Sequence, residues 1–122
     1  MKFTDIGLAD LVIDLEYLDH AMNKTNFVRG GQWDYERVTY DYKINSAEKN
    51  ITYYIRLQGY AIEGDVDKGD AVIKLVTPLL GKHYYPHGIE YGEEESFPAT
   101  TIERAKALLT NAKENMEPFI KQ

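Results

Sequence analysis

Between Val38 and Ala61 the chain alternates apolar and polar residues twice, a pattern that few architectures accommodate. Val38, Tyr40, Tyr42 and Ile44 fall on one side of an extended backbone. Tyr35, Arg37, Thr39, Asp41 and Lys43 fall on the other. The polar stretch Asn45-Ser46-Ala47-Glu48-Lys49-Asn50 reads as a turn. After it, Ile51, Tyr53, Ile55, Leu57 and Ala61 share one side, and Thr52, Tyr54, Arg56, Gln58, Tyr60 and Ile62 the other. Two runs of period two joined by a short turn pair antiparallel, with one face against a core.

That face needs a cover, and the two ends of the chain supply amphipathic helices. Asp14 stands at a cap position, and Leu15, Leu18 and Met22 follow at helical spacing, ending near Asn23 to Asn26. At the other end Thr100-Thr101-Ile102-Glu103 has the form of a capping box. Ile102, Ala105, Leu108, Leu109, Ala112, Met116 and Phe119 form one stripe, and Pro118 predicts a break. Residues 1–13 read as extended or irregular. Ala71 to Thr77 reads as a third strand, and His83 to Tyr85 as a short fourth that stops at Pro86. The expectation is one α+β domain over residues 1–122. It has two layers: an antiparallel sheet of about four strands, and an N-terminal and a C-terminal helix packed on one face. Alternation alone does not say which face they cover.

Three runs carry a family resemblance: Gly30-Gly31-Gln32-Trp33-Asp34-Tyr35, Gly59-Tyr60-Ala61-Ile62-Glu63-Gly64-Asp65, and Gly81-Lys82-His83-Tyr84-Tyr85-Pro86-His87-Gly88-Ile89-Glu90-Tyr91. They resemble the YugN-like family, small proteins of spore-forming bacteria. The resemblance implies a cytoplasmic domain with helices flanking a four-stranded sheet, similar to the layer of the TATA-binding protein. It brings no activity and no catalytic residues to carry over.

Charge and composition narrow the functional classes. The net charge of −6, with 14 basic residues scattered along the chain, argues against a broad nucleic-acid-binding face. No cysteine is present, which removes thiol chemistry and cysteine-based metal sites. No apolar run approaches a membrane span, and no secretory signal opens the chain, so a cytoplasmic protein is expected. Ser46 and Ser96 lie outside any nucleophile-elbow pattern. No catalytic residue and no cofactor is predicted.

Two readings of function follow. The first is a non-enzymatic interaction module. Ten tyrosines, several on alternating strand positions, suggest an aromatic sheet face or edge that binds a protein partner or a second copy in a homodimer. Its contact residues are Trp33, Tyr35, Tyr54, Tyr60, Tyr84 and Tyr85. The alternative is a metal-binding or hydrolytic protein centred on His83, His87 and Glu90, with His20 or Glu93 as further ligands. Pro86 keeps His83 and His87 off a regular helix. On a strand, four residues separate them by about 13 Å. Only a tight turn at Tyr85-Pro86-His87-Gly88 brings them to one ion. The plainer reading is that Pro86 and Gly88 build that turn. Asp65 to Asp70 opens like a calcium loop, but Asp70 and Val76 occupy the places of the required Gly and Glu, so it reads as a strand connection. Glu93-Glu94-Glu95 reads as a solvated loop.

Overall fold

The computed structural model describes residues 1–30, 36–48, 50–84, 89–90 and 96–121, with residues 84, 89 and 90 as backbone alone. In chain order the elements are β1 (Val12–Asp14), α1 (Leu15–Lys24), β2 (Val28–Arg29), β3 (Arg37–Asn45), β4 (Ile51–Glu63), β5 (Val72–Leu75), β6 (Leu79–Tyr84), β7 (Ile89–Glu90) and α2 (Ala99–Met116). A 3-10 turn at Glu117–Phe119 follows α2, where Pro118 ends the α-helical ladder.

Strands β3 and β4 pair antiparallel in unbroken register from Arg37–Tyr60 to Asn45–Thr52. The connecting turn contains Asn50 at a φ of 67°, a conformation that asparagine tolerates better than most residues. The chain then returns along the far side of β4 twice. β5 pairs with its second half and β6 with its first. The step from Gly59 to Arg56 on β4 covers three residues, whereas the return from Leu75 to Leu79 takes four. β5 and β6 are therefore one return path, broken by an extra residue beside Pro78, as in a bulge.

Sheet edges are closed by the chain's own ends. β1 lies antiparallel on β5. Lys121 then donates its backbone N–H to the Val12 carbonyl at 2.8 Å, and Ile120 bridges Ile13. At β6, Lys2 bridges Leu79, and the Leu80 amide donates to the Met1 carbonyl at 2.8 Å. Such cover removes unpaired backbone groups that would otherwise recruit another chain.

The sheet has seven strands among the described residues, not about four. Strands β1, β2 and β7 hold three, two and two residues, too few to produce a legible alternation. The α+β class, the antiparallel sheet and the two helices are as expected from the sequence.

Both helices cover the face of Val38, Tyr40, Ile44, Tyr53, Ile55, Leu57, Ile73, Leu75 and Leu80. α1 contributes Leu15, Leu18, Ala21 and Met22, and α2 contributes Ala105, Leu109, Ala112 and Met116, all buried. Burying each large aliphatic side chain stabilises the fold by about 1.5–3 kcal/mol. Phe119 leaves the predicted stripe and stacks on Tyr17 with ring centroids 4.6 Å apart.

The expected capping box does not form. α2 begins at Ala99 with Pro98 at the cap, and no side chain caps it. The Pro98 carbonyl accepts from the Thr101 and Ile102 amides instead. Phe97, tilted against Tyr53 at 5.9 Å, and Ile102 are both packed on the core, in the positions of a hydrophobic staple. Apolar anchoring thus starts the helix before Thr100. Asp14 does stand at the cap of α1, but its carboxylate makes no cap hydrogen bond and instead lies 3.3 Å from the Lys121 ammonium.

Gly59 is buried in the middle of β4, between Val38 and Leu75. A Cβ there would lie 2.4 Å from Ile73 Cγ2 and 3.0 Å from the Lys74 carbonyl. Gly59→Ala is predicted to lower stability by about 1–3 kcal/mol through overpacking. Urea unfolding measures this, and an unchanged midpoint would contradict the close approach.

Candidate functional site

The face of the sheet turned away from the helices is laid out by the β3–β4 register. Four cross-strand pairs run along it: Arg37–Tyr60, Thr39–Gln58, Asp41–Arg56 and Lys43–Tyr54. The two central pairs satisfy themselves. Arg56 grips Asp41 with two parallel bonds, Nε to Oδ1 at 2.8 Å and Nη2 to Oδ2 at 2.9 Å. Gln58 donates to the Thr39 hydroxyl at 3.0 Å. Both partners of the ion pair are only partly exposed, and the forked geometry is the favourable one for Arg and carboxylate.

The two outer pairs differ from the centre. Arg37 and Lys43 have no ion-pair partner among the described residues. Beside Lys43 and Tyr54 lies a hollow of about 570 Å³, bordered also by Val28, Gly30, Asp41 and Tyr42. Beside Arg37 and Tyr60 lies a smaller one of about 150 Å³, bordered by Gln58, Gly59 and Val76. Val28 is 70% exposed, Tyr60 40% and Val76 37%. Each end of the face therefore carries a tyrosine, a cation and an aliphatic side chain around a depression. The larger hollow is within the size range of ligand sites, which are mostly apolar with few polar groups.

The residues singled out from the sequence divide. Tyr54 and Tyr60 are on this face. Much of the tyrosine excess is not: Tyr40 and Tyr53 are fully buried, and Tyr42 packs on the core beside Phe27. Trp33, Tyr35, Tyr85 and His87 lie outside the described residues, and Tyr84 and Glu90 are described by backbone alone. His83 is on the same face as Tyr54 and meets its ring edge-on, with centroids 6.3 Å apart. In the β6–β7 ladder His83 pairs with Ile89, and Lys82 with Glu90. Among the described residues no three His, Asp or Glu side chains converge as a metal group. In the loop after β4, Asp65 and Asp70 spend their carboxylates on the amides of Asp67 and Asp65, each at 2.8 Å. Sequence reasoning missed Val28 and Val76. Val28 is in a two-residue strand, and Val76 lies between β5 and β6, in the expected strand Ala71 to Thr77, whose apolar residues do not alternate strictly with polar ones.

Similarity to known proteins agrees with this architecture. A family model described as the YugN-like family matches residues 6–115. The chain is 54% identical over 109 residues to the uncharacterized protein YlbA of Bacillus subtilis (strain 168), covering 89% of each. It is 24% identical over 76 residues to the uncharacterized protein YugN of the same organism, covering 62% of this chain and 55% of that one. The crystal structure of the uncharacterized conserved protein YugN from Geobacillus kaustophilus HTA426 superposes with a TM-score of 0.82 at 48% identity, covering 97% of this chain and 96% of that one. Among the described residues no helix is long and apolar enough to cross a membrane.

On the helix side, one polar cluster joins three elements. The buried Tyr40 hydroxyl donates to Asp19 Oδ1 on α1, and Arg29 of β2 donates to Asp19 Oδ2 at 2.9 Å. Burial first, and then the Asp19 carboxylate, push the Tyr40 phenol well above its usual range. Because the folded state holds the neutral phenol, its contribution is complete below the unfolded value near 10 and declines as pH rises past it. Tyr40→Phe is predicted to cost about 1–3 kcal/mol at pH 8. It should also weaken the loss of stability above pH 10. Urea unfolding at pH 8 and pH 11 measures both, and equal alkaline slopes in the two proteins would refute the assignment.

Proposed function

The chain belongs to the YugN-like family, and from that premise we propose that it is a non-enzymatic interaction module whose contact surface is the uncovered face of the sheet. One observation carries the reading. While both helices cover one face, the other leaves Tyr60, Ile62 and Val76 exposed at the Arg37 end, and Val28 exposed beside Tyr54 and a hollow of about 570 Å³ at the Lys43 end; among the described residues neither cation has an ion-pair partner. Aromatic and aliphatic side chains at this density on an exposed sheet are what a binding surface uses, because they release water on contact and hold few rotamers. The partner in this reading is a protein, either a different one or a second copy in a homodimer.

The test is site-specific photo-crosslinking in cells. A photoreactive residue at Tyr60 is expected to yield a discrete adduct, and one at Glu114, exposed on the outer side of α2, is expected to yield none. Equal crosslinking at both positions, or adducts from Glu114 alone, would sink the reading.

A further inference from the structure

The composition of the sheet face specifies its partner further than exposure alone. This step rests on the reading of that face as the contact surface. Along the β3–β4 ladder the charged residues on the face are Arg37, Lys43, Arg56 and Asp41, three cations and one anion, in a chain whose net charge is −6. Arg56 and Asp41 neutralise one another at the centre. What remains on the ladder, among the described residues, is one cation at each end without an ion-pair partner, Arg37 and Lys43, each opposite a tyrosine and close to an exposed valine; Lys74, across from Tyr60 on β5, lies 3.8 Å from the Asp10 carboxylate. Six residues of extended strand separate the two, which is about 20 Å.

From this arrangement we infer that the face binds an extended acidic segment of a partner protein, with two carboxylates about six residues apart, each with an apolar or aromatic side chain two positions away. An extended peptide has the same rise as β3, so side chains six apart point the same way and meet Lys43 and Arg37 together. Aliphatic or aromatic side chains two positions from each acid point the same way and enter the two hollows, over Tyr54 with Val28 and over Tyr60 with Val76. Arg37 offers a carboxylate a forked, two-bond contact, and Lys43 a point charge.

The same charges disfavour the other occupants. A second copy docked face to face about a two-fold axis perpendicular to the strands at the centre of the ladder brings Lys43 of one protomer towards Arg37 of the other, cation against cation. A nucleic-acid strand carries a phosphate at every step, whereas this face has a self-neutralised centre and the chain is acidic overall.

Selection from a displayed library of twelve-residue peptides tests the inference. Sequences with two Asp or Glu about six apart and an apolar residue two positions from each are expected to be enriched. A selected peptide should bind the Arg37→Glu/Lys43→Glu variant at least tenfold more weakly, with binding weakened by salt. Replacing its two acids by lysine should restore affinity for that variant. Both positions are exposed, and an unchanged circular dichroism spectrum verifies that the variant folds. No enrichment, enrichment without the acidic spacing, or equal affinity for variant and wild type would each overturn the inference. So would tighter binding of an eight-nucleotide oligouridylate that is lost in the variant, or a wild-type dimer that Arg37→Glu dissociates. A Tyr60 crosslink that persists while the peptides fail would leave the contact surface standing and remove only its acidic partner.

Discussion

The unbroken ladder between β3 and β4 decides which side chains are inside. Its cross-strand pairs place Tyr40 beside Leu57, Tyr42 beside Ile55 and Ile44 beside Tyr53 on one face. On the other they place Asp41 beside Arg56 and Thr39 beside Gln58. A slip of one residue in either strand would send its apolar set to the solvent face and bury Arg56 or Asp41 without a partner. Both outcomes are costly, so the register is held from two sides at once. The Asp41–Arg56 fork adds little net energy at partial exposure, but it is satisfied in only one register.

Strands β3, β5 and β6 all pair with β4. Its far side is long enough to take the return path in two pieces, and the extra residue beside Pro78 lets β6 restart the pairing that β5 began. The pieces left at the margin are short. Their backbone groups are taken up by the first three residues and by Ile120 and Lys121. The two chain ends therefore do structural work at the sheet margin. On the other side of the sheet β2 is limited to two residues, which pair with Tyr40 and Asp41 of β3.

On the helix side, close packing and a polar anchor act together. Ala21, Ala105 and Ala112 are fully buried, small enough to let the helices approach the sheet. Tyr40 reaches from β3 through that layer to Asp19, which Arg29 of β2 also holds. One carboxylate thus ties α1 to β2 and β3. Among the described tyrosines, Tyr40, Tyr42 and Tyr53 serve such packing, where a large ring fills space in the core. Only Tyr54 and Tyr60, among the described tyrosines, are turned to the uncovered face along β3 and β4.

How much of this was legible from the residues depends on length. β4 spans Ile51–Glu63, as its alternation required, and the buried stripe of α2 follows its apolar spacing. Long periodic segments declare themselves, because every second or every third and fourth residue repeats the same demand. The strands of two or three residues make no such demand, and their existence depends on the backbone groups of neighbours. Thr100 and Glu103 do not mark the start of α2, because Phe97 packs on the core and the Pro98 carbonyl takes the first helical amides. By itself the sequence determined the α+β class, the long hairpin and its two faces. Only the tertiary structure decided which face the helices cover, and that among the described residues Arg56 has an ion-pair partner while Arg37 and Lys43 have none. Those outcomes depend on distances between residues far apart in the chain, which periodicity does not carry.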